Sequence, residues 1–356
     1  MKISEIDKNL AVENTTGLKD LVWLDVKDAP FTVHGLWNTE KGRPFLRMPP
    51  DIAAATSEGV RGLSTHTAGG RIRFRTDSPV IALKAVMPDN ATMPHITMVG
   101  QSGFDLYRSD AGVYAYTGSF IPGARHHGFD TYKVTDGRMH TYTVNMPLYD
   151  PVEEVYIGLQ KDAQIEAAEP YRVEKPVLYY GSSITQGGCA SRPGNAYQAM
   201  ISRRFDADFI NLGFSGNAKG EPVMCDYLAS LEASVFVCDY DHNAPNADHL
   251  EATHKPLYET YRKANPDTPV VFVSKPDYHP ESAEDVRRRR IILDTYEGAL
   301  AAGDRKVLFV DGATLFEGDF ADSCTVDGCH PNDLGFFRMA QKIGDAVEEA
   351  LKMIEG

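Results

Sequence analysis

The chain divides by its pattern of apolar and polar positions. Up to about residue 165 the apolar residues come in short runs that alternate or are β-branched. These are VWLDV at 22–26, FTVHGLW at 31–37, RIRFRT at 71–76 and VIALKAVM at 80–87, then GFDLYRS, GVYAYTGSF, TYKV, HTYTVNM and VEEVYIGL. Turn signals separate them, among them AGG at 68–70, DSP at 77–79, SDAG at 109–112 and TDG at 135–137. A period of two sends successive side chains to opposite faces of a sheet. Short strands at regular spacing with such turns predict an antiparallel sandwich. In RIRFRT, Ile72 and Phe74 alternate with Arg71, Arg73 and Arg75, which predicts a strand with one wet face.

After residue 176 the pattern changes. Continuous apolar β runs appear at PVLYYG (176–181), DFINLG (208–213), SVFVCDY (234–240), PVVFVS (269–274) and KVLFVDG (306–312). Helical patterns fill the gaps, from Asn195 to Phe205, Pro222 to Leu231, Ala247 to Ala264 and Ala283 to Ala301, with a last helix from about Asp333 to Ile354. Five β-α units predict a parallel sheet covered by helices on both faces. The stretch EAAEPYRVEKP (166–176) reads as a linker, so the expected domains are 1–168 and 169–356.

Composition narrows the function. With Lys+Arg 36 against Asp+Glu 50 the net charge is −14, which argues against a nucleic-acid binder and an anionic partner. A hydrophobic content of 42% and a charged content of 24% are those of a globular protein. No apolar run approaches the roughly 20 residues of a membrane helix. The start, MKISEIDKNLAVENTT, lacks the apolar stretch of a signal peptide, which with a native Met1 implies the cytoplasm. Five cysteines (Cys189, Cys225, Cys238, Cys324 and Cys329) are too sparse and odd a set for a disulfide framework; free thiols are expected.

In open parallel sheets, ligands bind beyond the carboxyl ends of the strands. Those ends carry Gly181-Ser182-Ser183-Ile184-Thr185-Gln186-Gly187, then Asn211-Leu212-Gly213-Phe214-Ser215-Gly216-Asn217, then Asp239-Tyr240-Asp241-His242-Asn243-Ala244. Just before the last helix comes Asp327-Gly328-Cys329-His330-Pro331-Asn332. Acyl transfer needs a nucleophile, a base, a group that orients the base, and oxyanion donors. A serine at a strand-to-helix turn, a glycine N–H without a side chain in the way, an amide donor and an Asp-x-x-His pair supply all four.

These blocks together resemble the SGNH/GDSL hydrolases. GSSIT is similar to their first block, NLGFSGN to the Gly-bearing second, DHNA to the third and DGCHPN to the D-x-x-H-P block, over residues 175–356. The segment Gly103-Phe104-Asp105-Leu106-Tyr107 is similar to a β-sandwich found upstream of such domains, a layout resembling carbohydrate esterase family 2. The resemblance implies a jelly-roll-like sandwich followed by a three-layer αβα, flavodoxin-like domain with a five-stranded parallel sheet. It implies Ser183 as nucleophile, His330 as base, Asp327 as its orienter, and Ser183, Gly216 and Asn243 as the oxyanion hole, with no cofactor or metal. Ser182 stands where the family often has Asp, and Ala244 and Asp241 replace the usual Asp and Gly of the third block. The implied activity is cleavage of small acyl esters, acetyl above all, from a carbohydrate or similar polyol. An acyltransferase with the same triad and a non-catalytic carbohydrate-binding protein are the alternatives, and self-association is left open.

Other features have plainer readings. Ser182 or Ser183 can cap the following helix, Gly213 reads as a turn glycine, Asn211 as a loop amide, and Asp327 as a cap or Asx-turn. Asp239, Asp241, His242, His249 and His254 form a metal alternative, weakened because His249 and His254 lack the i,i+4 spacing. Arg287 to Arg290 reads as a solvated face. His126-His127 reads as a loop pair, and Trp23 and Trp37 as core residues before a sugar platform.

Overall fold

The computed structural model describes residues 15–88, 92–123 and 127–355; His126 of the histidine pair lies outside them. The amino-terminal part runs β1 (Leu21–Asp25), β2 (Thr32–His34), α1 (Pro50–Thr56), α2 (Glu58–Leu63), β3 (Arg71–Thr76), β4 (Val80–Val86) and α3 (Met98–Ser102). It continues through β5 (Phe104–Asp110), β6 (Val113–Phe120), β7 (Gly128–Val134), β8 (His140–Asn145), β9 (Glu154–Gln160) and β10 (Ile165–Glu166). The remainder alternates: β11 (Val173–Gly181), α4 (Ser183–Gln186), α5 (Tyr197–Phe205), β12 (Ala207–Gly213), α6 (Pro222–Ser230), β13 (Val235–Asp239) and α7 (Ala247–Ala264). It ends with β14 (Val270–Val273), α8 (Ala283–Ala301), β15 (Val307–Val310) and α9 (Asp333–Glu355).

Two compact units result, and they are not two continuous halves. One holds the chain up to Met48, Thr65–Arg172 and Ser191–Gly194; the other holds Pro49–Ser64, Val173–Ala190 and everything from Asn195. The chain therefore makes two excursions that a single boundary at 168/169 does not describe.

The first unit is an antiparallel sandwich. One sheet has the order β1-β9-β4-β7, the other β10-β3-β8-β5-β6 with β2 beside β3. The core is built from inward positions: Ile81 opposite Leu159 and Leu83 opposite Ile157 on the first sheet, Ile72, Phe74, Phe104 and Leu106 on the second. Each such buried side chain contributes roughly 1.5–3 kcal/mol of transfer free energy. The expected wet face of β3 is corrected here. Arg71 and Arg73 are buried: Arg71 Nε donates to the Tyr171 hydroxyl at 3.1 Å, and the Arg73 guanidinium lies 3.8 Å from the centre of the Tyr171 ring. A guanidinium that stacks on an aromatic face is hydrated weakly enough to be buried in this way. Trp23 is core, whereas Trp37 is half exposed.

In the same unit, fully buried Asp105 accepts from Arg192 at 3.0 Å, from the Gly194 N–H at 2.8 Å and from Asn145 at 2.7 Å. Arg192 also bonds the Tyr107 hydroxyl and lies over the Tyr116 ring. Asp105 and Tyr107 thus hold the 191–194 excursion.

The second unit has a five-stranded parallel sheet of order β12-β11-β13-β14-β15, the doubly wound order whose switch point lies between the first and third strands. The register is level at the carboxyl edge, where Gly181 of β11 pairs with Gly213 of β12 and with Asp239 of β13. The three strands end in one row, so their following loops start side by side. Excursion 49–64 belongs here: Ser57 caps α2 by accepting from Val60 N–H at 3.1 Å, and Gly59 lies against the Asn217 side chain. None of the described helices is long and apolar enough to cross a membrane.

Candidate active site

After β11 the chain turns into α4. Ser182 takes the capping role, its hydroxyl accepting from the Ile184 N–H at 3.1 Å. That leaves the Ser183 hydroxyl for other work, and Ser183 Oγ lies 2.9 Å from His330 Nε2. The opposite ring nitrogen, Nδ1, lies 2.8 Å from Asp327 Oδ2. Serine and histidine, 147 residues apart in sequence, are thus within hydrogen-bond reach.

The loop before α9 explains how His330 is held. Thr325 bridges Pro331, and the Val326 N–H donates to the His330 carbonyl at 2.9 Å, closing a tight loop. Inside it Asp327 Oδ1 accepts from the Cys329 and His330 N–H groups at 3.0 and 2.7 Å. Asp327 therefore closes the Asx-turn and orients the imidazole at once, while Asn332 caps α9 by accepting from Leu334 N–H at 3.0 Å. Burial raises the Asp327 pKa, but the backbone N–H of His330, the His330 ring and the Cys329 N–H more than offset it, holding it at about 2.

The second block forms a β-turn. The Asn217 N–H donates to the Phe214 carbonyl at 2.8 Å, and Gly216 sits at the third position with φ +69°, the left-handed backbone that glycine adopts without strain. Gly213 is not a turn glycine. It ends β12, and a Cβ there would fall 2.2 Å from the Gln186 backbone nitrogen. This close approach brings the second block against α4, where Gln186 Oε1 accepts from Ser215 N–H at 3.0 Å and Asn211 Nδ2 donates to the Thr185 carbonyl at 2.8 Å.

Asn243 ends a 3-10 turn over Asp241–Asn243. Its Oδ1 accepts from the Ala218 N–H at 3.3 Å. Because that N–H can only donate, the amide oxygen is committed to it and Nδ2 is the end left to donate. Among the described residues neither Asn243 Nδ2 nor the Gly216 N–H has a partner.

Two neighbours take roles that the sequence reading did not assign them. Arg288 lies in the basic run expected to be solvated, yet it is buried. Its Nη1 and Nη2 donate to the Asp241 and Ala244 carbonyls, each at 2.8 Å, and Nη1 lies 3.3 Å from Asp241 Oδ1. The other three arginines do pair at the surface with Asp248 and Glu251, Asp311, and Asp294 and Glu297. Asp239 lies fully buried beneath α4, accepting from Thr185 Oγ1 and the Tyr197 hydroxyl, both at 3.1 Å. Burial dominates and pushes its pKa up to about 7, the two hydroxyls opposing.

The suggested metal set does not assemble. His249 Nε2 lies 2.7 Å from the Lys219 carbonyl and His254 Nδ1 2.9 Å from Thr295, with burial driving the His254 pKa down to about 3. Among the described residues the one group of three or more whose metal-ligating atoms all lie within 4.8 Å of one another is His242, Asp277 and Cys329. All five cysteines are free thiols.

The profile of the GDSL-like Lipase/Acylhydrolase family matches residues 174–348, and that of GxDLY, the N-terminus of Esterase_SGNH_hydro-type proteins, matches 21–165. A structure from Bacteroides ovatus named as a GDSL-like lipase is 32% identical, covering 93% of this chain and 98% of its own, with TM-score 0.84. The fold is shared with the salicylyl-acyltransferase SsfX3 of a tetracycline biosynthetic pathway (18% identity, 94% and 99% covered, TM-score 0.78). It is shared too with a family two carbohydrate esterase from Clostridium thermocellum in complex with cellohexaose (15%, 81% and 94%, TM-score 0.60). None of the curated proteins matches the chain at a significant level.

Proposed function

The chain belongs to the GDSL-like lipase/acylhydrolase family, and from that premise we propose that it is a serine esterase acting through Ser183, His330 and Asp327 on small acyl esters, acetyl above all, of a carbohydrate or similar polyol. The observation that carries this reading is the aligned relay of Ser183 Oγ, His330 and Asp327 at 2.9 and 2.8 Å. His330 Nε2 takes the Ser183 proton as the oxygen attacks the ester carbonyl. Ionised Asp327 fixes the ring and stabilises the imidazolium. The Ser183 and Gly216 N–H groups and Asn243 Nδ2 receive the oxyanion. His330 then protonates the leaving alcohol, and water releases the acyl group by the reverse steps.

The polyol half of the reading draws on the fold shared with the cellohexaose-bound esterase, and the net charge of −14 suits an uncharged ester better than a polyanion. The fold shared with a salicylyl-acyltransferase favours one second reading, transfer of the acyl group to an acceptor other than water. The two differ only in which nucleophile reaches the acyl-enzyme.

The test is a panel of p-nitrophenyl esters of graded chain length and acetylated sugars, with and without acceptor alcohols. Fastest turnover on acetyl esters with free acid as product supports the esterase; acylated acceptor as main product supports transfer. Wild-type turnover by Ser183→Ala would overturn the site.

A further inference from the structure

A second relay stands beside the first. Asp277 Oδ1 lies 2.7 Å from His242 Nε2, and His242 Nδ1 lies 3.9 Å from the Cys329 sulfur. The Asp277 contact is misaligned for a directed hydrogen bond, so it is held as an ion pair. Lys275 Nζ lies 3.5 Å from the same carboxylate oxygen and adds positive charge there. Nucleophile, imidazole and carboxylate thus follow in the order that activates a thiol. The carboxylate and the sulfur approach different nitrogens of the one imidazole.

The other four thiols have no such setting. Burial pushes Cys189 and Cys225 up to about 12, and raises Cys238 and Cys324 as well. All four are buried, whereas Cys329 is partly exposed. Burial opposes a charge on His242, but the Asp277 carboxylate and the Cys329 sulfur beside it outweigh this and hold its pKa at about 10.

We propose that Cys329 is a nucleophilic modification site, with Asp277 and His242 as its positioning residues and hydroperoxides as the class of reactant. The thiol gives its proton to solvent beside the His242 imidazolium. The thiolate sulfur attacks one peroxide oxygen, an S–O bond forms and the O–O bond breaks. Sulfur is oxidised by two electrons, and the departing hydroxide takes the His242 proton to leave as water. The product is a sulfenic acid on Cys329, which directly precedes His330 and whose own N–H bonds Asp327 Oδ1. Adding oxygen there disturbs the loop that holds His330, so modification inhibits ester cleavage; this last consequence rests on the reading of His330 as the base.

The experiment treats the full chain with hydrogen peroxide, traps sulfenic acid with dimedone and maps it by peptide mass spectrometry, a readout independent of esterase activity. Cys329 is expected to label at least tenfold faster than any other cysteine, and His242→Asn to lower that rate tenfold. Asp277→Asn gives the same test should His242→Asn fail to fold. Equal labelling of all five cysteines, or wild-type labelling in the folded variants, overturns the proposal. With an ester the enzyme cleaves, peroxide inhibits wild type, dithiothreitol reverses it, and Cys329→Ala no longer responds; unchanged wild-type activity at full Cys329 labelling overturns the inhibitory part alone.

Discussion

The Arg288 guanidinium grips the Asp241 backbone carbonyl at 2.8 Å, and so a helix residue 47 positions downstream holds the turn that carries Asn243. The same side chain satisfies the Ala244 carbonyl and faces the buried Asp241 carboxylate. Arg288→Ala strands a buried carboxylate and two carbonyls, at about 1–3 kcal/mol for each unsatisfied group. Urea unfolding should register a loss of at least about 2 kcal/mol. Turnover should fall about tenfold as Asn243 loses its fixed orientation. Arg288→Lys, a single point charge that cannot fork to two carbonyls, should recover only part of either.

Asn243→Ala removes one proposed oxyanion donor and should lower kcat on the order of 10²–10³-fold with little change in KM. Gly216→Ala acts through the backbone instead. A Cβ meets no neighbour within 4 Å, so the cost is the left-handed φ of +69°. Steady-state kinetics on one p-nitrophenyl ester compares the two. Unchanged kcat in Asn243→Ala would remove that residue from the oxyanion hole.

Asp327, held at about pKa 2, is ionised throughout an ordinary assay range. Asp327→Asn therefore removes a charge present at every pH tested. It should depress kcat/KM by about 10²–10⁴ across pH 5–9. A defect confined to one end of the range would contradict this role.

Asp239 ties stability to pH. Its folded pKa of about 7 is raised above the unfolded value near 3.9. A raised group contributes stability that is full below the unfolded pKa and lost as pH rises through the folded one. Wild type should therefore lose Tm between pH 4 and pH 8. His242, also raised, declines in the same direction above about pH 6.5 in both proteins. Asp239→Asn should remove Asp239's share of the slope; identical pH–Tm curves would show that the carboxyl is ionised throughout.

Much was legible from sequence because it is local. Strand runs were readable from continuous β-branched stretches, and α7 and α8 from their periodicity to the residue. The four chemical blocks stand out because each follows a strand or precedes a helix. Ser183, His330 and Asp327 could be named from such blocks, and Asp327 and His330 even share one turn.

What only the tertiary structure decided are partners that no local pattern encodes. The alternation of arginines in β3 is the same whether that face meets water or the Tyr171 ring, and only packing chose the ring. The run Arg287 to Arg290 reads as surface until the turn holding Asn243 comes to lie against one of its four members. Excursion 49–64 sits amid β-sequence yet joins the parallel-sheet unit. Cys329 and His242 are 87 residues apart and meet because both blocks converge on one edge of the sheet. Sequence spacing determines which face of an element a side chain occupies; which other element meets that face is set by burial summed over the whole fold, and that sum exists only once the chain is closed.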